Sequence, residues 1–122
     1  MDAGAIASER EEPGVAVITF SGEHDLHTTP DLRHKLAAEI EDGFAVVVDL
    51  SGAAFVDSSI LGAILDARRR ALDAGIGFEV ALNHGAQPVE RVLDVTGLRS
   101  SLPAHSTRAA AIESARSGPP GQ

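Results

Sequence analysis

The residues best placed to do chemistry lie in the run Asp49-Leu50-Ser51-Gly52-Ala53-Ala54-Phe55-Val56-Asp57-Ser58-Ser59-Ile60-Leu61-Gly62. Asp57 and Ser58 are helix-capping residue types directly ahead of an apolar, helically spaced stretch, so both are expected to cap a helix. Ser59 then falls in the first turn with its hydroxyl exposed. Backbone N–H groups and the helix dipole favour an anion there, so a phosphate on Ser59 would be tolerated.

Two other clusters invite a chemical reading. His24, Asp25 and His27 stand close together and His34 follows, a set that could be imagined to hold a metal or to form a small catalytic centre. Their place ahead of a helix start favours polar turn residues that set up a cap at Thr29, with no metal bound. Arg68, Arg69 and Arg70 form a basic triplet. At 100° per residue they cannot share one helix face, so Arg68, nearest the apolar stripe, snorkels while the others are solvated.

The usual catalytic and cofactor signatures are missing. The one lysine, Lys35, lies inside a helical stretch, Gly75-Ile76-Gly77 lacks the third glycine of a dinucleotide fingerprint, and no serine has glycine two residues away on both sides. There is no cysteine, which removes disulfides, thiolate zinc sites and cysteine nucleophiles. The chain is expected to act without catalysis and without a cofactor.

The elements that must hold these residues follow from periodicity. Val15–Phe20 and Phe44–Leu50 read as strands, the second apolar on both faces and therefore central, and Gly77–Leu82 as a third. A helix opens at Thr29-Pro30-Asp31 and ends near Asp42-Gly43. Another runs from Ser58 to Ala74, its stripe made by Leu61, Ile64, Leu65 and Leu72. Pro88–Thr96 is a third helix, stopped by Gly97, and a fourth covers Ala109–Ala115. Strands alternating with helices imply right-handed crossovers and an α/β domain with a largely parallel sheet.

With 122 residues, 43% of them apolar, a single folded domain is expected. Residues 1–13 and 117–122 read as flexible tails around a domain at 14–116. The net charge of −8 repels phosphate backbones and anionic bilayers, and three per cent aromatic residues leave few stacking platforms. Nucleic acid and membrane are therefore disfavoured as partners. The acidity is concentrated in residues 1–57, which sum to −9, against +1 for residues 58–122. The first residues lack a secretory pattern and no apolar run approaches about 20 residues, so a cytoplasmic protein is expected.

Taken in order, several motifs resemble one family. Asp57-Ser58-Ser59-x-Leu61-Gly62 after a strand ending Val-Asp-Leu resembles the STAS domain, in particular the bacterial anti-sigma factor antagonists, whose loop reads Asp-Ser-Ser-Gly-Leu-Gly. Ser21-Gly22-Glu23-His24-Asp25 is similar to the family's turn after the first strand. Val92-Leu93-Asp94-Val95-Thr96-Gly97-Leu98 is similar to its third helix and exit, and Leu102-Pro103-Ala104-His105-Ser106 to its short strand and last-helix cap. Ile60 stands where the family has glycine.

The resemblance implies a single STAS-type domain with a mixed, mostly parallel sheet of about four to five strands and about four helices. It implies phosphorylation at Ser59 by an anti-sigma factor that is also a serine kinase and itself binds the ATP. The unmodified form would bind that kinase and release its sigma factor, and a phosphatase would reset the switch. Asp25, Asp57, Ser58, Ser59 and Ile60 are the expected partner-binding residues, with Ile64 or Arg68 as further candidates, on a monomer or weak dimer. The alternative within the fold is a STAS scaffold or transport-complex subunit that is not phosphorylated.

Overall fold

The computed structural model describes residues 4–11, 13–83 and 87–118, apart from the side chain of Gln87. The chain runs β1 (Ala5–Glu11), β2 (Val15–His24), α1 (Thr29–Glu41), β3 (Ala45–Asp49), β4 (Ala53–Val56), α2 (Ser58–Asp73), β5 (Phe78–Ala81), α3 (Gln87–Thr96), a 3-10 turn (Leu98–Ser100), β6 (Ala104–His105) and α4 (Arg108–Arg116). The strands form one mixed sheet in the order β1-β2-β3-β5-β6, with β4 paired to β2 off this path. The β1–β2 pair is antiparallel and the other four pairings are parallel.

Alternation of side chains along each strand divides the core between the two sheet faces. Ile18, Phe20, Val46, Val48, Phe78 and Val80 lie in one cluster with the buried residues of α1, α2 and α3. Val15, Val17, Val47 and Ala81 lie in a second with Ala111 and Ala115 of α4. With helices on both faces, β3 and β5 read as continuous buried runs. That is why Val46, Val47 and Val48 are all fully buried.

Several sequence expectations need correction. The sheet has six strands rather than four or five, and residues 5–11 of the supposed N-terminal tail are strand β1, which escaped notice because nearly all its side chains are exposed. Its anchor is Arg10, whose guanidinium bonds Glu39 and Asp42 on and just after α1 and stacks 4.0 Å from the Phe44 ring. Of the supposed C-terminal tail, Ser117 is the C-cap of α4 and residues 119–122 lie outside the described residues. The α4 N-cap is Thr107 rather than Ser106, its side chain accepting from the Ala110 amide.

The strand that most affects the site is β4. After β3 pairs with the first part of β2, the chain turns through Leu50-Ser51-Gly52 and pairs again with the last part, so Gly22–His24 faces Ala53–Val56. Gly52 makes the turn feasible, since a Cβ there would lie 2.6 Å from the Phe20 carbonyl oxygen. The register shifts between Gly22 and Glu23, an irregularity that re-aims the chain as it leaves the sheet.

Candidate functional site

The C-terminal ends of β2 and β4 are joined by a bond from the Asp57 amide to the His24 carbonyl, 3.2 Å. Both strands then feed helices, so the N-termini of α1 and α2 converge at the end of the sheet. In open α/β sheets this carboxyl end of the strands is where ligands and partners gather.

Asp57 is the N-cap of α2. Its Oδ1 accepts from the Ser59 amide at 3.0 Å, the Ile60 amide at 3.2 Å and the Ser59 hydroxyl at 2.6 Å. Three donors on one carboxylate oxygen satisfy two of the helix's orphan N–H groups and place a negative charge at the positive end of its dipole. The expectation that Asp57 caps holds, but Ser58 is not its co-cap: it is the first residue of the helix, exposed, with Asp57 supplying the cap bonds.

Ser59 is half-buried rather than open to solvent. Its only proton goes to the Asp57 carboxylate, so its oxygen is an acceptor toward the Thr29 hydroxyl 3.1 Å away. Thr29, in turn, has the Asp25 carbonyl as a second acceptor at 3.3 Å. Thr29 was expected to be the α1 N-cap. The cap position is Thr28, which makes no side-chain cap bond, because its hydroxyl donates to the Asp25 carbonyl and also faces His24 Nδ1.

The β2–α1 loop is held from inside by His24, which is buried with its ring edge-on to Phe20. Its Nε2 lies 2.8 Å from the Ser21 carbonyl, an acceptor only, so Nε2 carries the proton. Asp25 points outward and closes a tight turn by accepting from the His27 amide at 2.9 Å. That bond above all, with the His27 ring 3.1 Å away, holds the Asp25 carboxyl below its ordinary value. Among the described residues no three histidine or acidic groups converge as a metal site; Asp25 and His27 close the turn ahead of α1, while His24, expected in that turn, is the buried last residue of β2.

Ile60 and Ile64 were both expected to face a partner. Both have zero exposure and belong to the core cluster, because the first turn of α2 lies over the sheet and residue 60 faces inward with 64. The apolar groups that do reach solvent beside the serines are Leu26, 62% exposed, and Phe55, 43% exposed. Phe55 shares a groove of about 340 Å³ with Pro88, Arg91 and Val92 of α3. Sequence reasoning passed over Thr29, Leu26 and Phe55. The unbroken apolar run Ala53–Val56 was a signal for β4 and hence for Phe55, whereas nothing local links Thr29 with Ser59.

A profile of the STAS domain matches residues 7–111. The chain belongs to the STAS domain family. It is 34% identical over 101 residues to the anti-sigma F factor antagonist of Paenibacillus polymyxa, a match covering 81% of this chain and 85% of that protein. The crystal structure of an anti-sigma factor antagonist from Mycobacterium paratuberculosis superposes with a TM-score of 0.77 at 27% identity, covering 93% of this chain and 95% of that one. The Bacillus cell fate determinant SpoIIAA, in its phosphorylated form, gives a TM-score of 0.64 at 25% identity over 89% of this chain and 97% of its own. The matched span begins inside β1, consistent with that strand being part of the STAS domain.

Proposed function

We propose that this STAS protein is an anti-sigma factor antagonist switched by phosphorylation of Ser59. The observation that carries the reading is the Ser59 hydroxyl at the sheet's carboxyl end, donating to Asp57 Oδ1 across 2.6 Å. The relatives named as anti-sigma factor antagonists, together with SpoIIAA solved in a phosphorylated form, support the same reading.

The unmodified protein binds an anti-sigma factor that is also a serine kinase and frees its sigma factor. Asp25, Leu26, Phe55, Ser58 and Ser59 supply the contact surface, while Asp57 acts by positioning Ser59. In the transfer, Ser59 Oγ attacks the γ-phosphorus of ATP held by the partner. The new Oγ–P bond replaces the bond to the departing ADP, and the serine proton passes to the Asp57 carboxylate that already accepts it and from there to water. Asp57 already draws that proton away from the attacking face.

The product carries about −1.5 to −2 added charges close to Asp57 and Asp25. A partner closing over this surface must dehydrate the phosphate and meet three negative groups, so affinity drops at least about tenfold. A phosphatase resets the switch. The function needs no catalysis by this chain.

The test pairs the wild type, Ser58→Ala and Ser59→Ala with the purified kinase and ATP, read by intact mass and phosphopeptide mapping. Wild type and Ser58→Ala gain one phosphoryl group on Ser59, and Ser59→Ala gains none. Phosphate on Ser58 overturns the assignment. Stable binding with no phosphate on either serine favours an unphosphorylated scaffold or transport-complex subunit.

A further inference from the structure

The arginine triplet, which the switch does not use, divides in space. Arg70 lines the cleft between α1 and α2 with Arg33 and Asp66, and from the last turn of α2 it complements the negative end of that helix. Arg68 and Arg69 line a different groove, of about 500 Å³, between α2 and the 3-10 turn, together with Leu65, Leu72, Ser100 and Ser101.

This groove holds two cations without a carboxylate partner among the described residues. Arg10, Arg33, Lys35, Arg99 and Arg108 each bond a carboxylate. Among the described residues Arg68, Arg69, Arg70 and Arg91 have no such bond; Arg70 lies in the α1–α2 cleft and Arg91 beside Phe55, while Arg68 and Arg69 share one groove. In a chain with 18 acids and 10 bases, cations left unpaired do not reflect a shortage of carboxylates. Arg68 and Arg69 set two of them side by side in one groove of an acidic molecule.

We propose that this groove docks an acidic amphipathic helix from a partner protein. Leu65 and Leu72 are seven residues apart, two helical turns or about 10.5 Å along the axis, which matches the i, i+7 anchors of a helix laid in a groove. The guanidinium groups of Arg68 and Arg69 then bond carboxylates on the helix flank, and the Ser100 and Ser101 hydroxyls lie at the opposite wall. A long polyanion fits worse, because beyond the groove it meets a surface of net charge −8. The groove lies about 14 Å along α2 from Ser59, so its occupancy does not depend on the state of that serine.

The probe is a synthetic helical peptide with leucine at i, i+3 and i+7 and glutamate on both flanks, titrated into the ¹⁵N-labelled protein. Amide shifts confined to the groove, saturable binding, and affinity that falls with salt are expected. The Arg68→Ser/Arg69→Ser double variant, with an unchanged melting curve, weakens binding about tenfold or more. A peptide with serine for leucine weakens it as well, and Ser59→Ala does not. The proposal is overturned by shifts elsewhere, by no saturation at millimolar peptide, or by equal affinity in the double variant. Arginine-dependent binding only to phosphatidylserine vesicles, or groove shifts caused by protein concentration alone, also overturns it in favour of a bilayer or a second copy.

Discussion

Replacing Ile60 by glycine restores the residue that the family's loop carries at this position, and the structure says the exchange is costly. Ile60 has zero exposure and packs in the main core cluster with Leu61 and Ile64. Truncating such a side chain to alanine costs about 2–5 kcal/mol through lost burial and the cavity left behind. The further step to glycine in a helix adds up to about 1 kcal/mol. The sum, roughly 3–6 kcal/mol, is a large share of the stability expected of a domain this size, about 6–18 kcal/mol. At about 4 °C per kcal/mol, melting falls by roughly 12–24 °C. Urea denaturation of Ile60→Val, Ile60→Ala and Ile60→Gly gives a graded series. The valine step costs about 0.5–1.5 kcal/mol even if the glycine protein is too unstable to purify. A glycine variant that loses less than about 1 kcal/mol, or a valine variant that keeps its stability but binds the partner more weakly, would refute the burial argument and return Ile60 to the surface.

Asp57→Ala removes a cap that satisfies two amides and a charge at the helix dipole, and should cost about 1–3 kcal/mol in chemical denaturation. Ser58→Ala should stay within about 0.5 kcal/mol of wild type, so equal losses at the two positions would contradict the capping assignment. Asp25 accepts from the His27 amide more strongly when ionised, and its folded value lies below that of a free aspartate. What the turn gains is therefore present above the unfolded value and lost as pH falls through the lower folded value. The His27 amide resonance should titrate with a midpoint below that of a free aspartate side chain, and a midpoint at or above that value would refute the turn geometry.

The sequence was legible where a period or a capping pattern was local. The unbroken valines of β3 announced a strand covered on both faces, and the stripe from Leu61 to Leu72 announced α2. Failures came where tertiary placement decides. The side chains of β1 alternate hardly at all in exposure, so only the ladder to β2 and the Arg10 anchor on Glu39 identify it. The brevity of β4 hid it inside what looked like a loop. Ile60 was misplaced for the same reason: without β4 and the second pairing to β2, nothing showed that the first turn of α2 lies over the sheet. The site itself was half legible. Asp57 and Ser59 follow from capping chemistry three residues deep in the chain, whereas Thr29 reaches Ser59 only because β2 and β4 end side by side.

That arrangement bears on how a modification at Ser59 can act. The hydroxyl has one proton, and it is committed to Asp57. Any group placed on the oxygen removes that bond and leaves an ether-type acceptor facing a carboxylate, so the side chain must turn away from Asp57. The cap itself survives, because Asp57 still holds the Ser59 and Ile60 amides, and Ile60 still fixes the first turn to the core. The buried side of the turn is thus pinned by groups that the chemistry does not touch. Asp25, Leu26 and Ser58 on the solvent side are all exposed, so a displaced group turns toward solvent. A charge added to Ser59 is for this reason expressed at the solvent-exposed surface, where the proposed partner contact lies, and not in the sheet beneath it.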